Sequence, residues 1–219
     1  MSTESGLPDF RSKEGLWRHR DPREYASVEA LLHHENDFRE FYRWRVEQLV
    51  QVRPNRGHEL LARWESRGVL AGIITQNVDG LHQRAGSRRV VELHGSLRNF
   101  PCMACGEVFP CEVILESLAC PACGGALRPG VVLFGEALPE TAMAEAETLA
   151  KSAPLFLVLG SSLLVSPANW YPERAKRAGA RLVIVNNEPT PLDALADEVI
   201  RRPIGETLSA IQDACFGQD

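Results

Sequence analysis

Apolar and polar positions divide the sequence into two regimes. Before Gly68 they recur at three and four residues, and Phe38, Phe41, Tyr42, Arg45 by its stem and Leu49 share one face of a helix over 36–52, which Pro54 ends. An earlier helix begins near Asp21, where Asp21 can cap, Pro22 suits the first helical position and Glu24 can complete a capping box, and it runs towards His34. A third occupies 58–67, carries Leu60, Leu61 and Trp64, and stops at Gly68. Beyond Gly68 short apolar runs take over, at 70–75, 89–93, 131–134, 155–159, 182–186 and 198–201. Between them, 139–151 and 167–178 read as helices, the second opened by Ser166 as cap and Pro167 as first residue. Apolar strands alternating with helices predict an α/β fold, a mostly parallel sheet covered on both faces. The expected organisation is a nucleotide-binding sheet domain (1–20, 68–96 and 130–219), a helical insertion (21–67) and a small cysteine-rich module (97–129).

Composition narrows the class. With 219 residues, 44% hydrophobic and 24% charged, the chain can enclose a core and is neither disordered nor of low complexity. Its net charge of −5 argues against non-specific DNA binding as its main activity. No apolar run is long enough for a membrane-spanning helix, and the first residues have neither a basic region nor an apolar one of the secretory kind. The chain is therefore read as cytoplasmic, a reducing compartment in which paired cysteines suggest metal before disulfide.

Cys102 and Cys105 form one knuckle, Cys120 and Cys123 a second, and each is followed by glycine. Two such knuckles complete a tetrahedral Zn²⁺ site with no open position, which is structural. Gly106 and Gly124 are expected to let backbone N–H groups turn towards the sulfurs. Two disulfides or four unbound thiols are the alternative, and Cys111 and Cys215 read as ordinary semi-buried residues. A zinc ribbon alone also fits nucleic-acid or protein binding.

Four polar loops follow four strand candidates: Gln76-Asn77-Val78-Asp79, His94-Gly95-Ser96, Gly160-Ser161-Ser162 and Asn186-Asn187-Glu188. The carboxyl ends of parallel strands are where open α/β sheets bind ligands. Amide and carboxylate groups there can hold ribose hydroxyls and a carboxamide, glycine permits close approach to phosphate, and a neutral imidazole can take a proton from a sugar hydroxyl. Singly each loop reads as a polar turn, and a lone His at a strand end as structural; four together are less easily dismissed.

These words, with Gly6-Leu7-Pro8-Asp9-Phe10-Arg11, Gly80-Leu81-His82, the knuckles and Phe134-Gly135-Glu136, occur in an order that resembles the sirtuins, NAD-dependent protein lysine deacylases. The resemblance implies a Rossmann-type domain with a zinc-binding module, NAD and an acyl-lysine peptide meeting in the cleft between them. It implies His94 as base on a ribose hydroxyl, and Phe10, Arg11, Gln76, Asn77, Val78, Asp79, Gly160, Ser161, Ser162, Asn186, Asn187, Glu188 and Ile204 at the dinucleotide. Phe10 and Arg11 would belong to a loop shielding the intermediate from water. Substrate backbone would add as a strand between the segments around Gly135-Glu136 and Leu164-Val165, with Val132 and Phe134 also in contact. The implied products are free lysine, nicotinamide and O-acyl-ADP-ribose.

Tyr42 and Arg45, three apart on one helix face, can grip a carboxylate at the end of an acyl chain. Taken bare they read as a core aromatic beside a solvated Arg; the sirtuin subclass that removes succinyl and malonyl groups carries this Tyr-x-x-Arg, which favours the acidic acyl reading. The expected partners are acylated-lysine proteins, with no direct nucleic acid and no membrane, and a monomeric state. Mono-ADP-ribosyl transfer and a non-catalytic zinc-bearing module are the rival readings. Sirtuins also place a central strand and a Gly-Ala-Gly turn immediately before the segment that begins at Ser2, and neither stands in this sequence. The expectation is a shortened gene model, with two exposed strand edges and weakened NAD binding at this length.

Overall fold

The computed structural model describes residues 1–9, 15–16 and 21–217. A 3-10 turn over Ser2–Ser5 is followed by helices α1 (Pro22–Tyr25), α2 (Val28–His33), α3 (Glu35–Gln51) and α4 (Arg56–Ser66). Strand β1 (Ile73–Thr75), helix α5 (Leu81–Arg84) and strand β2 (Val90–Glu92) lead into β3 (Gly95–Ser96), β4 (Asn99–Pro101), β5 (Val108–Pro110), α6 (Val113–Glu116) and β6 (Gly130–Val131). The remainder is α7 (Glu140–Ser152), β7 (Leu155–Leu159), α8 (Trp170–Arg177), β8 (Arg181–Val185), β9 (Glu198–Ile200) and α9 (Ile204–Phe216).

The parallel layer comes in two parts. β1 pairs with β2, and β7, β8 and β9 pair in that order, all parallel. The same helices cover both parts. Leu60, Leu61 and Trp64 of α4 and Ile204 and Leu208 of α9 pack with Ile73, Val183 and Val185 on one face. Ala146, Leu149 and Ala150 of α7 and Tyr171 and Ala175 of α8 pack with Val91, Ile74 and Phe156 on the other. The two parts are thus one layer, and residues 72–75 and 155–159 line a cavity between their facing edges.

A separate core joins the first helices to the cysteine module: Phe38, Phe41 and Tyr42 pack with Leu97, Phe100, Leu127 and Leu133. α4, placed with the helical insertion on sequence grounds, packs on the sheet instead, because its apolar face meets α9. The expected helix from Asp21 to His34 is two helices. Asp21 Oδ1 does cap the first, accepting from Arg23 N at 2.8 Å. The break follows because Ala26 O accepts from Phe134 N (2.9 Å) and Phe134 O from Val28 N (3.1 Å), while Ser27 Oγ caps α2.

Residues 131–134, expected as a sheet strand, contribute instead to β6, which pairs antiparallel with β3 where the chain enters and leaves the cysteine module. Only glycine fits there: Gly95 has φ +70°, and a Cβ would lie 2.3 Å from Gly130 O. α8 begins at Trp170 rather than Pro167. Ser166 Oγ bonds Asn169 Oδ1 instead of capping, and Asn169 N and Trp170 N close turns onto Val165 O and Pro167 O. The closing helix α9 was not read from the pattern.

Candidate active site

The loops that follow β1, β2, β7 and β8 converge on one cavity of about 1250 Å³. Among the described residues, the positions expected for the base, the dinucleotide and the substrate line it: Gln76 to Asp79, His94, Gly160 to Ser162, Asn186 to Glu188, Ile204, Tyr42, Arg45, Val132 and Phe134 to Glu136, whereas Gly95 and Ser96, which follow His94, lie outside the lining. Phe10 and Arg11 lie outside the described residues.

β1 and β2 hold the imidazole in place. Leu93 N donates to Thr75 O at 3.0 Å, His94 O accepts from Val132 N at 2.9 Å, and His94 Nδ1 lies 3.2 Å from Gln76 O. A carbonyl can only accept, so Nδ1 carries the proton and Nε2 is the basic nitrogen. The Gln76 side chain reaches across to Ser161 Oγ at 3.4 Å, linking the loops after β1 and β7. Asp79 is buried; its Oδ1 accepts from Leu81 N at 2.9 Å and its Oδ2 from Ser2 Oγ at 2.7 Å. Asn77 Nδ2 donates to the same Ser2 hydroxyl at 2.9 Å. After β8, Asn186 Nδ2 donates to Glu188 O at 2.7 Å, so that loop closes on itself.

Tyr42 and Arg45 sit together on α3 as their spacing requires. The guanidinium carbon lies 5.7 Å from the Tyr42 ring centroid and 5.9 Å from that of Phe41. Desolvation pushes the Tyr42 phenol up to about 12 against the pull of Arg45, so it stays neutral at ordinary pH. Desolvation also lowers Arg45, opposed by Tyr42 and Asp79, and a guanidinium remains charged there.

Glu136 does not present a free carboxylate. Arg128 Nη1 and Nη2 donate to its two oxygens at 2.9 Å each, Leu133 N adds a third bond at 2.8 Å, and the Arg128 hydrogen bonds lead in holding its carboxyl below the usual range. It shapes the turn after Phe134 rather than offering a charge to a ligand. Phe134 and Leu164, both in the cavity lining, are exposed, at 44% and 64%.

The four knuckle sulfurs lie within 4.8 Å of one another, with Cys102 and Cys123 at 3.6 Å and Cys105 and Cys120 at 3.8 Å. Four thiolates about 2.3 Å from a tetrahedral Zn²⁺ stand roughly 3.8 Å apart, so the set fits a closed structural site. Ala104 N and Gly125 N, each at 3.4 Å, aim at Cys102 and Cys123 Sγ. Gly106 N and Gly124 N bond the carbonyls of Cys102 and Cys120, and the N–H groups of the residues that follow them, Glu107 and Gly125, turn to the sulfurs of Cys105 and Cys123, as expected of glycine there. Gly125 is the position without room: a Cβ would meet Ala104 Cβ at 2.7 Å and two sulfurs at 3.2 Å. Cys111 is buried and Cys215 exposed, both outside the cluster.

Residues 1–167 match the family model described as the Sir2 family. The chain belongs to the Sir2 family. This Sir2 chain is 59% identical over 215 residues to the NAD-dependent protein deacetylase 1 of Geobacillus kaustophilus, covering 97% of itself and 89% of that protein. Its fold overlays a point mutant of a Sir2 homologue in complex with ADP-ribose at TM-score 0.91, with 40% identity and coverage of 96% and 86%. A Sir2 structure with a peptide and NAD+ overlays at 0.87, with 37% identity and coverage of 97% and 88%. The Sir2 site also holds residues that pattern reading missed. Ser2 bridges Asn77 and Asp79, and its signal was its place directly ahead of the Gly6–Arg11 word. Arg128, just after the second knuckle, ties the cysteine module to the Phe134 turn, and no pattern in the sequence marked it.

Proposed function

We propose that this Sir2-family chain is an NAD-dependent protein-lysine deacylase that removes acetyl groups and, through Tyr42 and Arg45, succinyl and malonyl groups. The observation that carries the reading is convergence in one cavity: an imidazole with its basic nitrogen set by Gln76 O, polar loops at three strand ends, and a neutral phenol beside a guanidinium. NAD+, when bound, would supply an electrophilic sugar carbon to the acyl oxygen with nicotinamide as leaving group, and with one water consumed the products are free lysine, nicotinamide and O-acyl-ADP-ribose, the acyl group ending on a ribose oxygen.

Each residue has a role. His94 Nε2 accepts the proton of a ribose hydroxyl, and the bond to Gln76 O steadies the imidazolium that results. Asn77 and Asp79 hold ribose and carboxamide groups, Gly160 to Ser162 and Asn186 to Glu188 the rest of the dinucleotide, and Ile204 and Val78 give apolar contact. Phe134 and Leu164 flank the acyl-lysine backbone, while Val132 and Gly135 shape its track and Glu136 braces it. Phe10 and Arg11 take the role the resemblance implies, shielding the reaction from water. Main-chain pairing of the peptide leaves its sequence largely unread. The four-cysteine cluster binds one structural Zn²⁺. We place the enzyme in the cytoplasm as a monomer acting on acylated proteins, without nucleic acid.

Two substitutions test this. His94→Ala is expected to abolish nicotinamide release coupled to acyl removal, and undiminished turnover would refute the mechanism. Arg45→Met is expected to cut kcat/KM for succinyl-lysine at least tenfold against acetyl-lysine, since a bidentate charged contact is lost. An unchanged ratio on matched peptides would remove the acidic-acyl assignment.

A further inference from the structure

Asn55 caps α4, and its side chain faces two ways. Oδ1 accepts from His58 N at 3.3 Å, and Asn55 N donates to His58 Nδ1 at 3.3 Å, which closes a capping box. Nδ2 points out of the helix and donates to Met1 O and to Ser5 Oγ, both at 3.0 Å. The capped N–H demands an acceptor and the Met1 carbonyl a donor, so the orientation of this amide is fixed by its neighbours.

Those two acceptors bracket Ser2, the residue that joins Asn77 Nδ2 to Asp79 Oδ2. From the other side the Glu4 carboxylate accepts from Ile204 N (2.8 Å) and Gly205 N (2.9 Å) at the start of α9. A four-residue 3-10 turn with no buried residue has little packing of its own to hold it. Its place in the site is set by the ends of α4 and α9.

We propose that Asn55 is a positioning residue for the dinucleotide: through its amide Nδ2 it holds the Ser2–Ser5 turn on α4, and Ser2 in turn holds Asn77 and Asp79 in their ribose-binding orientation. This rests on the deacylase reading. Capping alone does not call for asparagine, because Asp and Ser cap about as well. Neither of those offers amide hydrogens to Met1 O and Ser5 Oγ while its oxygen caps the helix.

That difference gives the test. Asn55→Asp and Asn55→Ser keep the cap and lose the amide donors; Asn55→Ala loses both. In the first two, the melting temperature should stay close to that of the unsubstituted chain. Amide hydrogen exchange should accelerate over residues 1–7 and stay unchanged over α4. The calorimetric Kd for ADP-ribose should weaken about five- to tenfold, as expected for two lost hydrogen bonds. The Kd for an acyl-lysine peptide should not move. Unaltered exchange over residues 1–7, or an unaltered ADP-ribose Kd, in the Asp and Ser variants overturns the proposal. So does a melting loss in both that equals that of Asn55→Ala together with faster exchange over α4, since any change at the dinucleotide would then come through a disturbed helix and not through the amide donors. If the unsubstituted chain binds no ADP-ribose, the functional reading fails together with the dinucleotide role, while the exchange measurement still decides whether Asn55 holds the turn.

Discussion

His58 and His82 show what a buried ring does to stability. They are 0% and 5% exposed, their ring centroids are 4.8 Å apart, and burial, first among the causes, lowers them to about 3 and about 4. Both are neutral when folded, whereas in the unfolded chain they protonate near pH 6.5. The unfolded state therefore binds more protons below pH 6.5, and stability falls as the pH drops from there towards the folded values. His58→Gln, whose amide can still accept from Asn55 N, should flatten this loss. The expected readout is a smaller difference in melting temperature between pH 7 and pH 5 than in the parent; an equal difference would place the acid sensitivity elsewhere. At this scale the sequence was informative wherever a side chain stands next to a strand end or a second cysteine. His94, Asn77 and the knuckles were legible because their neighbours in sequence are their neighbours in space. The pairing of Glu136 with Arg128 was not legible, because the two stand eight residues apart across a turn and period-based reading carries no signal for such a pair.

Elements followed the same division. α3, α4, α7 and β7 were legible from their own periodicity, with ends within about two residues of expectation. The break at Ala26–Ser27 was not, since it is imposed by Phe134, more than a hundred residues away. The pairing of β3 with β6 was hidden for the same reason: two residues on each side, joined across the cysteine module, leave no pattern. That short pair nevertheless fixes where the module meets His94. Gly95→Ala would place a methyl group 2.3 Å from Gly130 O on a residue with φ +70°, so backbone must move on one side or the other. A loss of roughly 3 kcal/mol or more is expected from combined clash and strain. Urea denaturation monitors it, and a loss below about 1 kcal/mol would show that the pair yields easily.

For the whole molecule, the parallel layer and its covering helices were legible from periodicity, and the division of the sheet into two parts accords with the two exposed strand edges that the resemblance implied. Helices on both faces bridge β2–β1 and β7–β8–β9, so their apolar contacts hold the parts in one plane without hydrogen bonds from β1 to β7. The facing edges carry Ile73 to Thr75 and Leu155 to Leu159, and Leu155 is 49% exposed. Unpaired parallel edges lined with apolar side chains are costly in water, and each apolar side chain buried between them contributes about 1.5–3 kcal/mol. A polypeptide extended upstream of Met1 by a five-residue β-branched strand and a glycine-containing turn should therefore pair with both edges. Part of that gain is offset by ordering the added residues. A net gain of about 3–5 kcal/mol is expected, which for a chain of this size raises the melting temperature by about 10 °C. The added turn would also bring backbone N–H groups to the carboxyl end of the layer, so the Kd for ADP-ribose should tighten in parallel. The two changes are linked by geometry. A strand that raises the melting temperature without altering ADP-ribose affinity would mean that the cavity between the edges and the dinucleotide site behave as separate spaces. An extension that changes neither would mean that the helix layers alone already secure the sheet.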